Sequence, residues 1–356
     1  MEDVITLDYG SGGGKTSKLI SDLILPLINK DHEKTGALCD GAVLDILKGT
    51  GDGNQRLVFS TDSFVVDPRF FPGGDIGKLS VCGTVNDLAM MGAEPAYLSL
   101  SFIIEEGFSA EELKTIAMSI GRTAKEAGVR IVTGDTKVVD RGRGDGIYIN
   151  TSGIGFVDSD LFPEGYSLKP ENICAGDSVI VSGTVGDHGT AVMLARNPEF
   201  GMGGGEGSDM LLSDCAPLNR EALALARGLG KDLRVMRDPT RGGLATALNE
   251  FVEDRQDVGI EILEKEIPIS DTVRSICDIL GLDPLYCACE GRLIAVVSGE
   301  CEDRALSILK REPHGSGAAV IGHVTEKTPG RLVIRTVLGT GRIAVKLSGA
   351  QLPRIC

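Results

Sequence analysis

The chain has 356 residues, enough for two ordinary domains or one large one. Its 36 basic and 51 acidic residues leave a net charge of −15, a surface that repels nucleic-acid phosphates and anionic lipid. No apolar run reaches the roughly 18 residues of a membrane span, and Met1–Tyr9 lacks the basic start of a secretory signal, so cytoplasmic residence is expected.

Nine cysteines, an odd number without regular spacing, point to reduced thiols rather than a disulfide scaffold. Four histidines, none at ligand spacing from another, and a lone C-x-C pair, Cys287 and Cys289, argue against zinc. Tryptophan is absent and aromatics are 4%, which leaves little for stacking bases. Glycine is the outlier, with 48 residues against a usual level of about 7%. It gathers in short polar stretches between apolar runs, as tight turns and phosphate-facing loops require.

In chain order, a glycine-rich loop at Gly10–Thr16 leads into an amphipathic helix from about Ser17 to Ile28. Strands are expected at Ala42–Leu47 and Arg56–Thr61, then a loop and helix over Gly73–Met91. A strand at Tyr97–Ile104 precedes a helix from Ser109 to Gly128. That helix has Ser109 as N-cap, Glu112 completing a capping box and Gly128 as terminator. Strands at Val129–Thr133 and Ile147–Phe156 follow.

A polar stretch around Pro170 puts a domain boundary near residue 165. Beyond it come a strand at Ser178–Ser182, a G-D-H-G turn with a helix to about Arg196, and a loop at Phe200–Ser208. Helices follow near Asn219–Gly228 and Gly242–Asp254, then strands at Leu293–Ser298, Ala318–Val324 and Leu332–Ile334. Both halves mix α and β. Lys346–Cys356 shows no periodicity and reads as a mobile tail. The expected division is 1–165, 166–345 and the tail 346–356.

Asp40, Asp62, Asp87 and Asp135 sit at the ends of apolar runs in small-residue surroundings, and Asp238 opens D-P-T-R-G-G-L. Singly, each is a turn-capping aspartate. Together they would repel one another unless a cation neutralised them, and magnesium prefers carboxylates plus substrate phosphates. Gly14, Lys15 and Thr16 match the end of a P-loop, but Tyr9 stands where its first glycine belongs. Backbone N–H groups and a lysine could still close over a triphosphate.

The loop G-S-G-G-G-K, with C-D-G-A-V, S-T-D-S-F, V-N-D-L-A-M-M-G-A-E-P, V-T-G-D-T-K-V, D-P-T-R-G-G-L, C-E-G-R and a terminal P-R-I-C, resembles the HypE family of hydrogenase maturation factors. More distantly the set is similar to the PurM-like superfamily of aminoimidazole ribonucleotide synthetase, selenophosphate synthetase and thiamine-monophosphate kinase. The resemblance runs from about residue 8 to the end.

It implies a two-domain α/β (α+β) PurM-like fold that dimerises through its N-terminal domain, with Mg2+ and ATP near the dimer interface. Gly12, Gly13, Gly14 and Lys15 would fold over the triphosphate, with Asp40, Asp62, Asn86, Asp87, Asp135 and Thr136 beside the nucleotide. Asp40, Asp62, Asp87, Asp135 and Asp238 would hold the metal. A carbamoyltransferase, HypF, would load a carbamoyl group onto Cys356. The chain would dehydrate it to a thiocyanate, and a complex of HypC and HypD would accept the cyano group for the iron of a [NiFe]-hydrogenase.

Such a dehydration needs a base. Lys137 and Glu290, charged residues in small or apolar stretches, are the candidates, with a structural salt bridge between them as the plainer reading. The eleven-residue tail spans about 35 Å when extended, enough to present Cys356 to an outside donor and to an inside ATP. The alternative is a kinase or synthetase of the same superfamily acting on a free small molecule. A thiol carrier or metal chaperone using Cys356 with Cys287 and Cys289 is the rival from another class.

Overall fold

The computed structural model describes residues 14–18, 42–45, 56–158, 160–197, 211–347, 349, 352 and 354–356. Gly12, Gly13, Asp40, the loop at Phe200–Ser208 and most of the helix expected from Ser17 lie outside them. The described start of that helix is α1 (Gly14–Lys18).

The first sheet runs in the order β1-β2-β7-β5-β6. Its strands are β1 (Ala42–Asp45), β2 (Arg56–Phe64), β5 (Glu94–Glu105), β6 (Arg130–Val139) and β7 (Ile147–Val157). A small ribbon, β3 (Phe70–Phe71) with β4 (Gly74–Asp75), precedes α2 (Ile76–Met90). Burial alternates along β7 with period two, as a strand with one packed face requires. The packed face meets α2, whose residues other than Lys78 and Asp87 are all buried. Asp75 caps α2 by accepting from the N–H groups of Gly77 and Lys78 at 2.7 and 3.0 Å.

β5 and β6 are parallel, and α3 (Ala110–Ala127) makes the crossover. The expected caps of α3 are in place. Ser109 accepts from the Glu112 N–H at 3.4 Å, and Gly128 closes the helix at φ 73°. The Glu112 carboxylate is taken by Arg69 at 3.2 Å instead of completing the box.

The second sheet runs β14-β13-β10-β12-β8-β11-β9. Its strands are β8 (Ser178–Val181), β9 (Leu233–Arg237), β10 (Gly259–Leu263), β11 (Ile294–Val297), β12 (Ala319–Thr325), β13 (Leu332–Arg335) and β14 (Gly341–Ala344). Its helices are α4 (Asp187–Arg196), α5 (Asn219–Leu229), α6 (Gly243–Glu250), α7 (Asp271–Leu280) and α8 (Glu302–Leu309). β8 and β11 are buried on both faces, so their apolar runs are continuous rather than alternating. On one face Val179, Val181, Ile294 and Val296 pack with Leu244, Leu248 and Phe251 of the α6 region. On the other, Ile180, Ala295 and Val297 share a core with α5 and with Leu88, Ala89 and Met90 of α2, which joins the two halves.

Sequence reasoning placed strands and helices at most of these positions but passed over β9, β10, β14, α7 and α8. It also began β5 three residues late and ended β6 six residues early. Among the described residues, no helix is long and apolar enough to cross a membrane.

Candidate active site

A cavity of about 170 Å³ opens between the two halves. β2 contributes Thr61 and Asp62, and α2 contributes Gly83 and Asp87, one turn apart on the same face. The turn between β9 and α6 brings Asp238, Thr240 and Arg241; the loop before β11 brings Glu290; the chain terminus brings Cys356. Two glycines make this convergence possible. A Cβ on Gly83 would stand 2.8 Å from the Phe64 ring, so only glycine lets α2 lie this close to β2. Gly243, at φ +61°, would drive a Cβ within 2.6 Å of the Leu285 and Cys287 carbonyl oxygens.

The charges are arranged around the terminal sulfur. Arg241 Nε donates to Cys356 Sγ at 3.2 Å, and its Nη2 pairs with Asp62 Oδ1 at 3.5 Å. The Cys356 thiolate and the Asp62 carboxylate raise the guanidinium's pKa further. Burial raises the Asp62 pKa, opposed by Arg241. Asp87 Oδ2 accepts from Ser60 Oγ at 2.7 Å.

Glu290 is buried, and its Oε1 has no hydrogen-bond partner among the described residues. Burial first, then the nearby Cys215, Asp238 and Asp62, pushes its pKa well above the carboxylate range. Its backbone is pinned: the N–H donates to Asp214 Oδ1 at 3.1 Å and the carbonyl accepts from Ala216 N–H at 3.3 Å. Cys356 is only 7% exposed, and burial pushes its thiol up to about 12 despite Arg241.

The tail reaches this position through a chain of contacts. At its root, Lys346 binds Glu250 and Glu253 at 2.7 and 3.6 Å, and the Leu347 carbonyl accepts from the Gly14 N–H at 3.1 Å. Leu352 packs beside Gly189 and the Val273–Cys277–Cys287 cluster. The last residues run along the end of β2. Asp67 N–H donates to the Arg354 carbonyl at 3.1 Å, and Val65 N–H donates to a Cys356 oxygen at 3.4 Å. Arg354 also pairs with Asp145 and donates to the Val65 carbonyl.

One face of α4 grips the tail. His188, Val192 and Arg196 follow each other at four-residue spacing. His188 Nε2 meets the Ile355 carbonyl at 2.8 Å, Val192 shares a core with Ile355 and Cys356, and Arg196 donates to the Arg354 carbonyl at 2.9 Å.

Of the residues singled out in the sequence, Asp62, Asp87, Asp238, Glu290 and Cys356 meet at this cavity. Others do not. Lys137 and Asp135 lie on β6, with side chains 71% and 64% exposed, and pair with each other at 3.4 Å. Their strand is the exposed edge of the first sheet, so within one chain neither Lys137, Asp135 nor Thr136 lines the cavity. The plainer reading of a Lys137–Glu290 salt bridge is thereby corrected, since Lys137 pairs with Asp135. Asp62 and Asp135 sit inside strands and Asp87 on a helix, not at strand ends. Asn86 is fully buried and structural: it donates to the Ala216 and Glu290 carbonyls and accepts from the Leu218 N–H at 2.8 Å.

Arg241 and His188 were missed. Arg241 had a signal, an arginine before paired glycines beside Asp238. His188 had none beyond being one of four histidines.

The described carboxylates do not close on a single point, and no group of three or more potential ligands forms a metal cage among the described residues. Asp62 and Asp87 nonetheless suit a magnesium ion whose other ligands are phosphate oxygens and water, the usual way this ion is held.

Family comparison agrees with this geometry. The AIR synthase related protein N-terminal domain matches residues 39–157, and its C-terminal domain matches residues 175–335. Carbamoyl dehydratase HypE of Bradyrhizobium diazoefficiens is 44% identical over 99% of this chain and 96% of its own length. A crystal structure of a HypE–HypF complex superposes with a TM-score of 0.81 at 42% identity, covering 94% of this chain and 100% of that one. A structure of HypE in complex with ATP gives 0.77 at 44% identity, covering 99% and 100%. The chain belongs to the HypE family of carbamoyl dehydratases, enzymes built on the two AIR synthase related domains.

Proposed function

We propose that the chain carries its substrate on Cys356 and uses ATP to dehydrate an S-carbamoyl group there to a thiocyanate. The observation that carries this reading is the position of the sulfur, inside the carboxylate-lined cavity and in contact with Arg241. A kinase acting on a free small molecule has no use for a thiol that fills its own site.

The chemistry suits the residues. The carbamoyl oxygen is a poor leaving group. Transfer of the ATP γ-phosphoryl to it gives S–C(OPO3)=NH and ADP, and one nitrogen proton leaves. Cleavage of the C–O bond then releases phosphate as the second proton leaves, giving S–C≡N. Arg241 is placed to offset the negative charge that gathers on the departing phosphate. Glu290 is placed to take a proton, and its raised pKa makes it a stronger base than an ordinary carboxylate. Asp62 and Asp87 would hold magnesium against the phosphates, where the ion would neutralise developing charge. Lys15 would reach the triphosphate from the glycine loop.

Loading calls for a different tail position. With its thiol pushed up to about 12, the seated Cys356 holds on the order of a thousandfold less thiolate than a free cysteine at neutral pH. The tail therefore swings out to a carbamoyltransferase, HypF, returns for dehydration, and delivers the cyano group to a HypC–HypD complex in the cytoplasm. The domains are 1–165 for ATP binding and dimerisation and 166–345 for the second sheet. A homodimer forms through the open β6 edge of the first sheet, where Ile131, Val132 and Val138 lie uncovered, next to the exposed Ile103 of β5. Lys137, Asp135 and Thr136 then stand at the seam, which is their route to a role in catalysis.

The test is the intact mass of the protein after incubation with the carbamoylating partner, carbamoyl phosphate and Mg-ATP. The expected result is a gain of one carbamoyl group on the C-terminal peptide, then an ATP-dependent loss of one water. ATP hydrolysis with an added small acceptor, and no adduct on Cys356, would replace this reading with the free-substrate kinase.

A further inference from the structure

His188 is buried in the first turn of α4, outside the residues that line the cavity, and the dehydration does not use it. Its surroundings leave one arrangement of protons. The Ile355 carbonyl can only accept, so His188 Nε2 donates to it at 2.8 Å. In the neutral ring Nδ1 then takes the proton of Ser213 Oγ, 2.8 Å away, while that oxygen accepts from the Cys215 N–H at 3.1 Å. Ser213 is itself held, since its N–H donates to the Pro72 carbonyl at 2.8 Å. The Phe71 ring meets the imidazole edge-on at 5.3 Å and fixes its plane. Burial lowers the ring's pKa to about 4, which keeps it neutral and this tautomer in force.

A rigid donor is thus aimed at the backbone of the residue before Cys356. Arg196, by contrast, grips the tail from a more exposed place. When the tail leaves, the Nε2 hydrogen loses its acceptor in an apolar pocket beside Phe71 and Val192, which favours return.

We propose that His188 is the positioning residue that seats the C-terminal tail, holding Ile355 so that the Cys356 sulfur falls between Arg241 and Glu290. Its catalytic meaning rests on the reading above, but the seating itself is measured independently of catalysis.

The experiment is the alkylation of Cys356 by iodoacetamide in the full-length protein, followed by peptide mass, with exposed Cys174 as internal reference. Two polar replacements separate position from polarity. In His188→Gln the side-chain amide reaches the place of Nε2 and can donate to Ile355. In His188→Asn it reaches only the place of Nδ1. Seating by His188 predicts that the Asn variant labels Cys356 about tenfold faster than the wild type, the effect of one lost buried hydrogen bond, while the Gln variant stays within about threefold. Ser213→Ala, which removes the group that orients the ring, also speeds labelling. After loading with carbamoyl, the Asn variant dehydrates more slowly while its ATP affinity is unchanged. Melting curves establish that each variant is folded. Wild-type labelling rates in folded His188→Asn and Ser213→Ala would overturn the proposal, as would equal release in the Gln and Asn variants. Alkylation reports seating alone, so a wild-type protein that forms no thiocyanate removes the functional reading and not this one.

Discussion

Glu290 lines the cavity that holds the Cys356 sulfur and Arg241, and its proposed role as a base makes a prediction. A base must have lost its proton to act. With its pKa raised by burial, Glu290 does so only above the ordinary carboxylate range, so dehydration rises with pH through that displaced value. Glu290→Gln removes this rising limb and slows dehydration by about 10²–10⁴-fold, with ATP binding retained. Single-turnover conversion of preloaded protein across pH measures both effects; an unchanged profile in the Gln variant removes Glu290 from the base role. His188 gives a prediction on stability. Its folded pKa, about 4, lies below the ordinary 6.5. Above 6.5 neither state is charged, and as pH falls below it the unfolded chain gains a proton that the folded chain refuses. The wild type therefore loses about 2 kcal/mol relative to His188→Gln between pH 7 and pH 5, read from urea midpoints at the two pH values. Glu290 stood out as a charge among small or apolar neighbours, and Cys356 entered through the terminal P-R-I-C of the family resemblance. Little in the sequence hinted at His188, whose partner lies 167 positions away. Lys137 stood out by its apolar flanks, which belong to an exposed edge strand of the first sheet.

At the scale of elements, long periodic segments with caps were legible. The Ser109–Gly128 helix carried its N-cap, its amphipathic stripe and its left-handed glycine in plain sight. Shorter pieces were not. The ten-residue α7 has Ser270 as N-cap, Gly281 as terminator and a buried Val273–Ile276–Cys277 stripe, signals confined to under three turns of helix. β9 and β14 have only five and four residues, with two arginines and one, and β9 takes its pairing from the distant β11. α2 shows how an element positions the site. It is buried nearly all round, so its one cavity-facing acid, Asp87, is aimed by the packing of every other face. Gly83→Ala forces the Phe64 ring aside and costs about 1–3 kcal/mol, with a loss of ATP binding larger than the loss of stability implies. Thermal unfolding beside nucleotide titration tests this, and unaltered binding in a destabilised variant would show that the α2–β2 spacing does not shape the cavity.

At the scale of the whole molecule, two sheets share one core and leave one flank of the first sheet open. Val138 is 67% exposed on the edge strand β6, paired with Ile104 of β5. A charge there should leave the fold intact and remove the proposed dimer. Val138→Asp is expected to sediment as a monomer and to lose most ATP turnover, because Lys137 beside it then has no second copy to meet. A monomeric variant with full turnover would place the complete site within one chain. The polar stretch around Pro170, where a division near residue 165 is expected, was readable in the sequence. The way the tail threads back to the first sheet was not, because Lys346–Cys356 has no periodicity and its partners are scattered from Gly14 to Glu253.

Arg354 adopts φ 52°, the left-handed region that residues with a side chain seldom enter. Holding it there costs about 1 kcal/mol, roughly a fivefold bias against the seated arrangement. That bias has a use in a reaction cycle. An arm that must visit a donor, its own catalytic cavity and an acceptor in every round is slowed by whichever stop holds it longest. Grips from α4 and β2 draw the arm in, and the backbone of Arg354 opposes them, so that residence stays short. Relieving this opposition alone, with the Asp145 and Val65 contacts of the Arg354 side chain kept, would trade turnover for occupancy: faster dehydration in a single round, and slower exchange with the partners over many.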